Sequence, residues 1–85
     1  MPYQVEIKPS AKKSLEKLPR DVRVRITAAI DILAINPRPP KSKKLVNRTE
    51  YRIRIGDYRI LYEINDNKLF IMVIKIGHRN NAYDD

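Results

Sequence analysis

The feature that most constrains this fold is a pair of alternating runs around a single two-residue break. Tyr51, Ile53 and Ile55 alternate with Arg52 and Arg54, Gly56-Asp57 interrupts, and Tyr58, Ile60, Tyr62 and Ile64 resume the alternation. A period of two gathers the apolar set on one face of a strand. A two-residue connection with glycine first joins two such strands as a hairpin. The short turn also fixes the register: residue 55 faces 58, so Arg54 faces Arg59, and Arg52 lies two places along on that same face. A lone hairpin is at best marginal in water, so the rest of the chain must cover its apolar side.

The flanking segments supply that cover. Tyr3, Val5 and Ile7 alternate with Gln4, Glu6 and Lys8 as a first strand over 3–8. Pro9 and Ser10 open a short helix, with Ser10 as its expected cap, and Ala11, Leu15 and Leu18 form its stripe before Pro19. Pro19 suits the first turn of a second helix, in which Val22, Ile26, Ala29, Ile30 and Leu33 recur until Asn36-Pro37. Residues 36–42, NPRPPKS, hold three of the six prolines and predict a stiff extended crossover. After Asn65-Asp66-Asn67, the run from Leu69 to Ile76 is broken only by Lys75, the pattern of a central strand covered on both faces, and Gly77 is expected to end it.

The predicted fold is therefore α+β: a strand, a helical hairpin, then a three-stranded antiparallel meander. It makes one small sheet with both helices on the face of Tyr51, Ile53, Ile55, Ile60 and Tyr62. At 85 residues the expectation is a single domain, 1–85. The absence of cysteine excludes a disulfide framework and thiolate metal sites, and one histidine is a poor basis for a zinc centre. No metal and no cofactor is expected. The opening MPYQVEIKPS has no apolar run behind a basic start, and no stretch nears the ~20 apolar residues of a membrane span, which predicts a soluble, cytoplasmic protein without a membrane partner.

Charge points to the partner. Eighteen Lys and Arg against ten Asp and Glu leave +8, a balance that favours polyanions, nucleic acid first among them. The charge is concentrated: residues 38–59 carry eight cations, including Lys41, Lys43, Lys44 and Arg48 as expected RNA contacts, against Glu50 and Asp57 alone. Facing Arg54 and Arg59 disfavours folding by up to about 1 kcal/mol, on the usual scale of cross-strand terms. An anion held between them would give a reason to keep the pair. A competing reading is that these cations solvate an exposed sheet face and blunt its edges. Three Arg and no Lys on the hairpin weigh against it, because the guanidinium fork grips phosphate bidentately, whereas solubility alone would admit Lys. His78, Arg79 and Tyr83 follow just beyond the last strand, where a lone histidine is more often a surface residue, and where a tyrosine can cover a core edge or stack on a base.

The segments KLV at 44–46, YRIRIGDYRILYEI at 51–64 and IKIGHRNNAYD at 74–84, after a strand and a helical hairpin, resemble the RelE/ParE superfamily of type II toxin–antitoxin toxins. The likeness spans nearly the whole chain, and the closing GHR-x-x-x-Y is similar to the RelE branch of messenger-RNA interferases. It implies a RelE-like fold and a toxin that acts as a ribosome-dependent endoribonuclease, cutting mRNA in the A site and inhibiting translation. It also implies a cognate antitoxin that holds the toxin inactive, with the ribosome and mRNA as the other partners. The family's two basic residues on the second sheet strand fall on Arg52 and Arg54, its next arginine on Arg59, its arginine after the last strand on Arg79, and its tyrosine on Tyr83. Arg stands at 52 and 54 and His at 78 where lysine is frequent, and no terminal helix is expected after Tyr83.

RNA brings its own nucleophile in the 2′-hydroxyl, so cleavage needs alignment, proton transfer and stabilisation of the phosphorane, without a metal. Arg59 and Arg79 are expected at the scissile phosphate, Arg52 and Arg54 in phosphate positioning and proton-transfer assistance, and Tyr83 against the base. Arginine is a poor base, which leaves His78, the Tyr83 phenolate or a ribosomal group as candidates. The alternatives are a ParE-like gyrase-poisoning toxin without nuclease activity, or a non-catalytic RNA- or ribosome-binding module with a steep salt dependence.

Overall fold

The structure is a computed structural model that describes residues 2–78. Seven elements follow in order: β1 (Gln4–Ile7), α1 (Pro9–Glu16), α2 (Arg20–Ile35), β2 (Lys43–Lys44), β3 (Tyr51–Ile55), β4 (Tyr58–Asn65) and β5 (Phe70–His78). They form one sheet in the order β1-β5-β4-β3-β2, with β1 parallel to β5 and the other pairs antiparallel. This is the expected α+β arrangement with one addition, the two-residue β2, which pairs Lys43 with Arg52 and Lys44 with Tyr51 at the edge.

The hairpin has the register its sequence dictates: Ile55 faces Tyr58, Arg54 faces Arg59 and Arg52 faces Leu61. Gly56 has φ of 58°, the left-handed value that a glycine-first turn requires at that position. Apolar alternation then assembles the core. Ile53, Ile60 and Tyr62 from the hairpin meet Ile71, Val73 and Ile76 of β5, and Ala11, Ile26, Ala29, Ile30 and Leu33 of the helices cover them.

Local chemistry moves several boundaries. Ser10 does not cap α1; Lys8 occupies the cap position without a side-chain hydrogen bond, and Pro9 opens the helix where its missing N–H costs nothing. Ser10 lies inside the first turn, and its carbonyl accepts a hydrogen bond from Ser14 Oγ at 3.2 Å. α1 ends at Glu16, ahead of Leu18 and Pro19, and Pro19 caps α2 rather than entering it. Strand β5 begins at Phe70, not Leu69, because Leu69 has φ of 51° and belongs to the turn. It runs through Gly77 to His78, since both still pair with β4.

The crossover is pinned from two sides. Tyr62, fully buried at 0% exposure, donates its hydroxyl to the Pro37 carbonyl at 2.7 Å, and burial pushes its phenol up to about 12. Arg38 next in sequence grips Asp66 at 2.9 and 3.3 Å, donates to the Tyr51 hydroxyl at 3.1 Å and lies over the Tyr51 ring. Tyr3 of the N-terminal segment donates to the same carboxylate at 2.5 Å. The Arg38 guanidinium, and then the Tyr3 hydroxyl, hold the Asp66 carboxyl below its usual value. One carboxylate therefore ties together the N-terminal segment, the crossover and the β4–β5 turn.

Candidate nucleic-acid interface

With both helices on one side, the other side of the sheet presents the alternate residues, and strand pairing arranges them in rows. Arg54, Arg59 and Gly77 form one row across β3, β4 and β5. Lys43, Arg52, Leu61 and Lys75 form the next, across four strands. Glu63 and Met72 of the two inner strands, with Glu6 of β1, form a third. The face is therefore polarised, cationic toward the hairpin turn and acidic toward the other end.

The row positions follow from an irregularity in β5. The pairing steps from Leu61–Lys75 to Tyr62–Val73, so Ile74 is an extra residue, a β-bulge. Ile71 and Val73 point into the core, and so does Ile76, three residues after Val73. That reversal of phase places Lys75, exposed, on the face of the arginines. A regular strand would have turned it toward the helices.

The expected site residues fall into distinct settings. Arg52 is half-buried and Arg54 exposed. Arg59 is only 1% exposed, and its Nη1 donates to the His78 carbonyl at 3.3 Å, so it is a charge set beneath the face rather than a solvent-facing fork. Beside it, Gly77 leaves open ground: among the described residues a side chain there would meet no atom within 4 Å. His78 does not join the arginines. It pairs with Tyr58, and its ring packs edge-on against the Tyr58 ring at 5.2 Å between centroids, on the helix side of the sheet. The expectation of an imidazole acid or base among the arginines is corrected by that alternation. Arg79 and Tyr83 lie outside the described residues.

The four expected RNA contacts also separate. Lys43 stands opposite Arg52, on the arginine face. Lys44 points the other way and donates its amine to the Arg48 carbonyl at 2.7 Å, holding the β2–β3 connection. Arg48 reaches the Glu50 carboxylate at 3.1 Å. Lys41 borders an apolar groove of about 340 Å³ with Ile32, Pro39 and Ile53, remote from the arginine rows. Arg38, counted in the basic stretch by sequence, is paired with Asp66 at 2.9 Å. The usable charge is thus smaller than the count over 38–59 and more sharply placed.

Chemically, this face can hold an anion on fixed guanidinium charges and offers an amine from each flank, Lys43 and Lys75. Lys75 was visible in the sequence only as the one cation in an apolar run, and its direction depends on the bulge. Among the described residues no cluster of His, Asp or Glu is placed to hold a metal ion, and no helix is long and apolar enough to cross a membrane.

Comparison with known proteins adds three findings. A family model described as the ParE toxin of the type II toxin–antitoxin system, parDE, matches residues 5–83. The chain is 32% identical to toxin RelG of Mycobacterium tuberculosis, over 98% of this chain and 98% of that one. Among solved structures, it superposes on a chain of the archaeal RelE–RelB complex of Pyrococcus horikoshii with a TM-score of 0.84 at 33% identity, covering 96% of this chain and 100% of that one. A mutant Escherichia coli toxin RelE in the free state gives a TM-score of 0.82 at 25% identity, covering 96% and 88%.

Proposed function

Because the chain belongs to the ParE toxin family, within the RelE/ParE superfamily of type II toxins, we propose that it acts as a RelE-like, ribosome-dependent endoribonuclease. The observation that carries this reading is the cationic half of the open sheet face, where Arg52 and Arg54 of β3, Arg59 of β4 and Lys75 of β5 share one side. A protein that only poisons another by binding has no need for facing arginines beside the open ground at Gly77.

Arg52 and Arg54 hold the phosphates on either side of the cut, where a planar fork fixes both position and orientation. Arg59 lies below as a buried charge, worth more there than in water, and its hydrogen bond to the His78 carbonyl fixes the end of β5 from which Arg79 follows. Arg79 stabilises the phosphorane and Tyr83 stacks on a neighbouring base, both on the strength of the RelE resemblance. The 2′-oxygen attacks the adjacent phosphorus and the 5′-oxygen leaves, giving a 2′,3′-cyclic phosphate and a 5′-hydroxyl end. The mRNA in the ribosomal A site is the substrate. The partner in the cell is a cognate antitoxin, supported by relatives solved as RelE–RelB complexes from Pyrococcus horikoshii and Methanococcus jannaschii.

The test is induction of the toxin followed by primer extension on a translated and an untranslated copy of one message. Cuts confined to the translated copy, and lost in Arg79→Ala, are expected. Replication arrest ahead of any loss of translation would favour a gyrase-directed ParE-like toxin instead.

A further inference from the structure

Three guanidiniums cannot complete the proposed cleavage. Arginine holds its proton at any physiological pH, so it stabilises charge but is ill suited to protonating a leaving alkoxide. The one imidazole among the described residues packs on Tyr58, across the sheet. The amines on the arginine face are Lys43 and Lys75, at opposite ends of the row that runs through Arg52 and Leu61. Of these, Lys43 belongs to a two-residue edge strand, whereas Lys75 stands on an interior strand one register step from the Arg59–Gly77 pair.

The β-bulge at Ile74 is the second observation. Bulges re-aim side chains and collect beside active sites. Here the bulge is what turns Lys75 from the helix side to the arginine side, while Ile76 resumes the core three residues after Val73. Strands lie ~4.8 Å apart, so the backbones of Arg52 and Lys75 stand ~10 Å apart across Leu61, within reach of two long arms and one phosphodiester linkage. Lys75 is also four residues before Arg79 in sequence, on the strand that delivers it.

We infer that Lys75 is the general acid of the cleavage, an inference that rests on the nuclease reading above. As the 2′-oxygen bonds to phosphorus, its proton passes to solvent water. The bond between phosphorus and the 5′-oxygen breaks with its electron pair on that oxygen, and the Lys75 ammonium gives it the proton that makes the 5′-hydroxyl end. The amine then takes a proton back from solvent.

A bridging-sulfur message tests this. Ribosomes are programmed with mRNA whose scissile A-site linkage carries either the natural 5′-oxygen or a 5′-sulfur, which leaves as a thiolate and needs no acid. Lys75→Met should slow the oxygen message by about 10²-fold or more, the usual yield of general acid catalysis, and the sulfur message by less than about threefold. Lys75→Arg should stay slow on oxygen, because it restores charge but no transferable proton, while Arg52→Ala should slow both messages alike. Lys75 is exposed, so an unfolding temperature matching that of the unaltered chain certifies each variant. Equal slowing of both messages by Lys75→Met, or full activity in Lys75→Arg, overturns the assignment. If the unaltered chain cuts neither message, it is the nuclease reading that falls.

Discussion

The facing pair Arg54 and Arg59 shows how two identical side chains in register acquire different tasks, one exposed and one buried. Each phosphate contact on single-stranded RNA releases about 0.7 of a counterion, so Arg54→Ala should lower the slope of log affinity against log salt by about 0.7. Lys44→Ala should leave that slope unchanged, since its amine is committed to the Arg48 carbonyl. Fluorescence anisotropy with a labelled oligonucleotide at several salt concentrations reads both. Tyr62→Phe probes a different bond: it strands the buried Pro37 carbonyl and should cost about 1–3 kcal/mol in a urea titration. The raised Tyr62 phenol contributes stability present below its ordinary value of 10 and lost as pH rises through about 12, so the alkaline limb of the stability curve should flatten in the Phe variant. At this scale the sequence told residue type and strand parity, which was enough to pair Arg54 with Arg59. It did not tell which cations were already engaged, because the partners of Arg38 and Lys44 come from folding: Asp66 is distant in sequence, and the Arg48 group is a backbone carbonyl.

Elements were legible where pattern and turn chemistry agreed, as in the hairpin, whose register follows from Gly56-Asp57 and alternation alone. They were not where a local irregularity intervened. The expected regular strand at 69–76 hides a left-handed residue at Leu69 and a bulge at Ile74, neither of which an apolar run reveals. The edge strand β2 was missed because two residues carry no period. The lone histidine was misjudged for the same reason, since extending β5 to His78 assigns its ring to the opposite face. The clasp of Asp66 with Arg38 and Tyr3 couples three such segments, and it too is absent from any local pattern. Its carboxyl is held below its ordinary value, so the stability it gives is present above an unfolded value of 3.8 and lost as pH falls. Asp66→Asn should therefore remove part of the acid limb while lowering the unfolding temperature near neutrality, which thermal melts from pH 7 down to pH 3 would record.

For the whole molecule, +8 on 85 residues sets a preference for polyanions, and the fold turns that preference into a polarised face. The sheet places arginine and lysine at the hairpin end and Glu6 and Glu63 at the other, so RNA is drawn to one half of one side. The helices take the opposite side and leave that face open. Small size serves the same end, because a toxin acting in the ribosomal A site must fit beside the message it cuts. The account's central claim is cleavage of ribosome-bound mRNA by 2′-oxygen attack, and its most direct measurement is the chemistry of the new ends on ribosomes programmed with a defined message and mixed with purified toxin. The account predicts a single cut in the A-site codon, with a 5′-hydroxyl on one fragment and a 2′,3′-cyclic phosphate on the other, formed with intact ribosomes and not with naked RNA. An intact message, or fragments bearing 5′-phosphates, would contradict it.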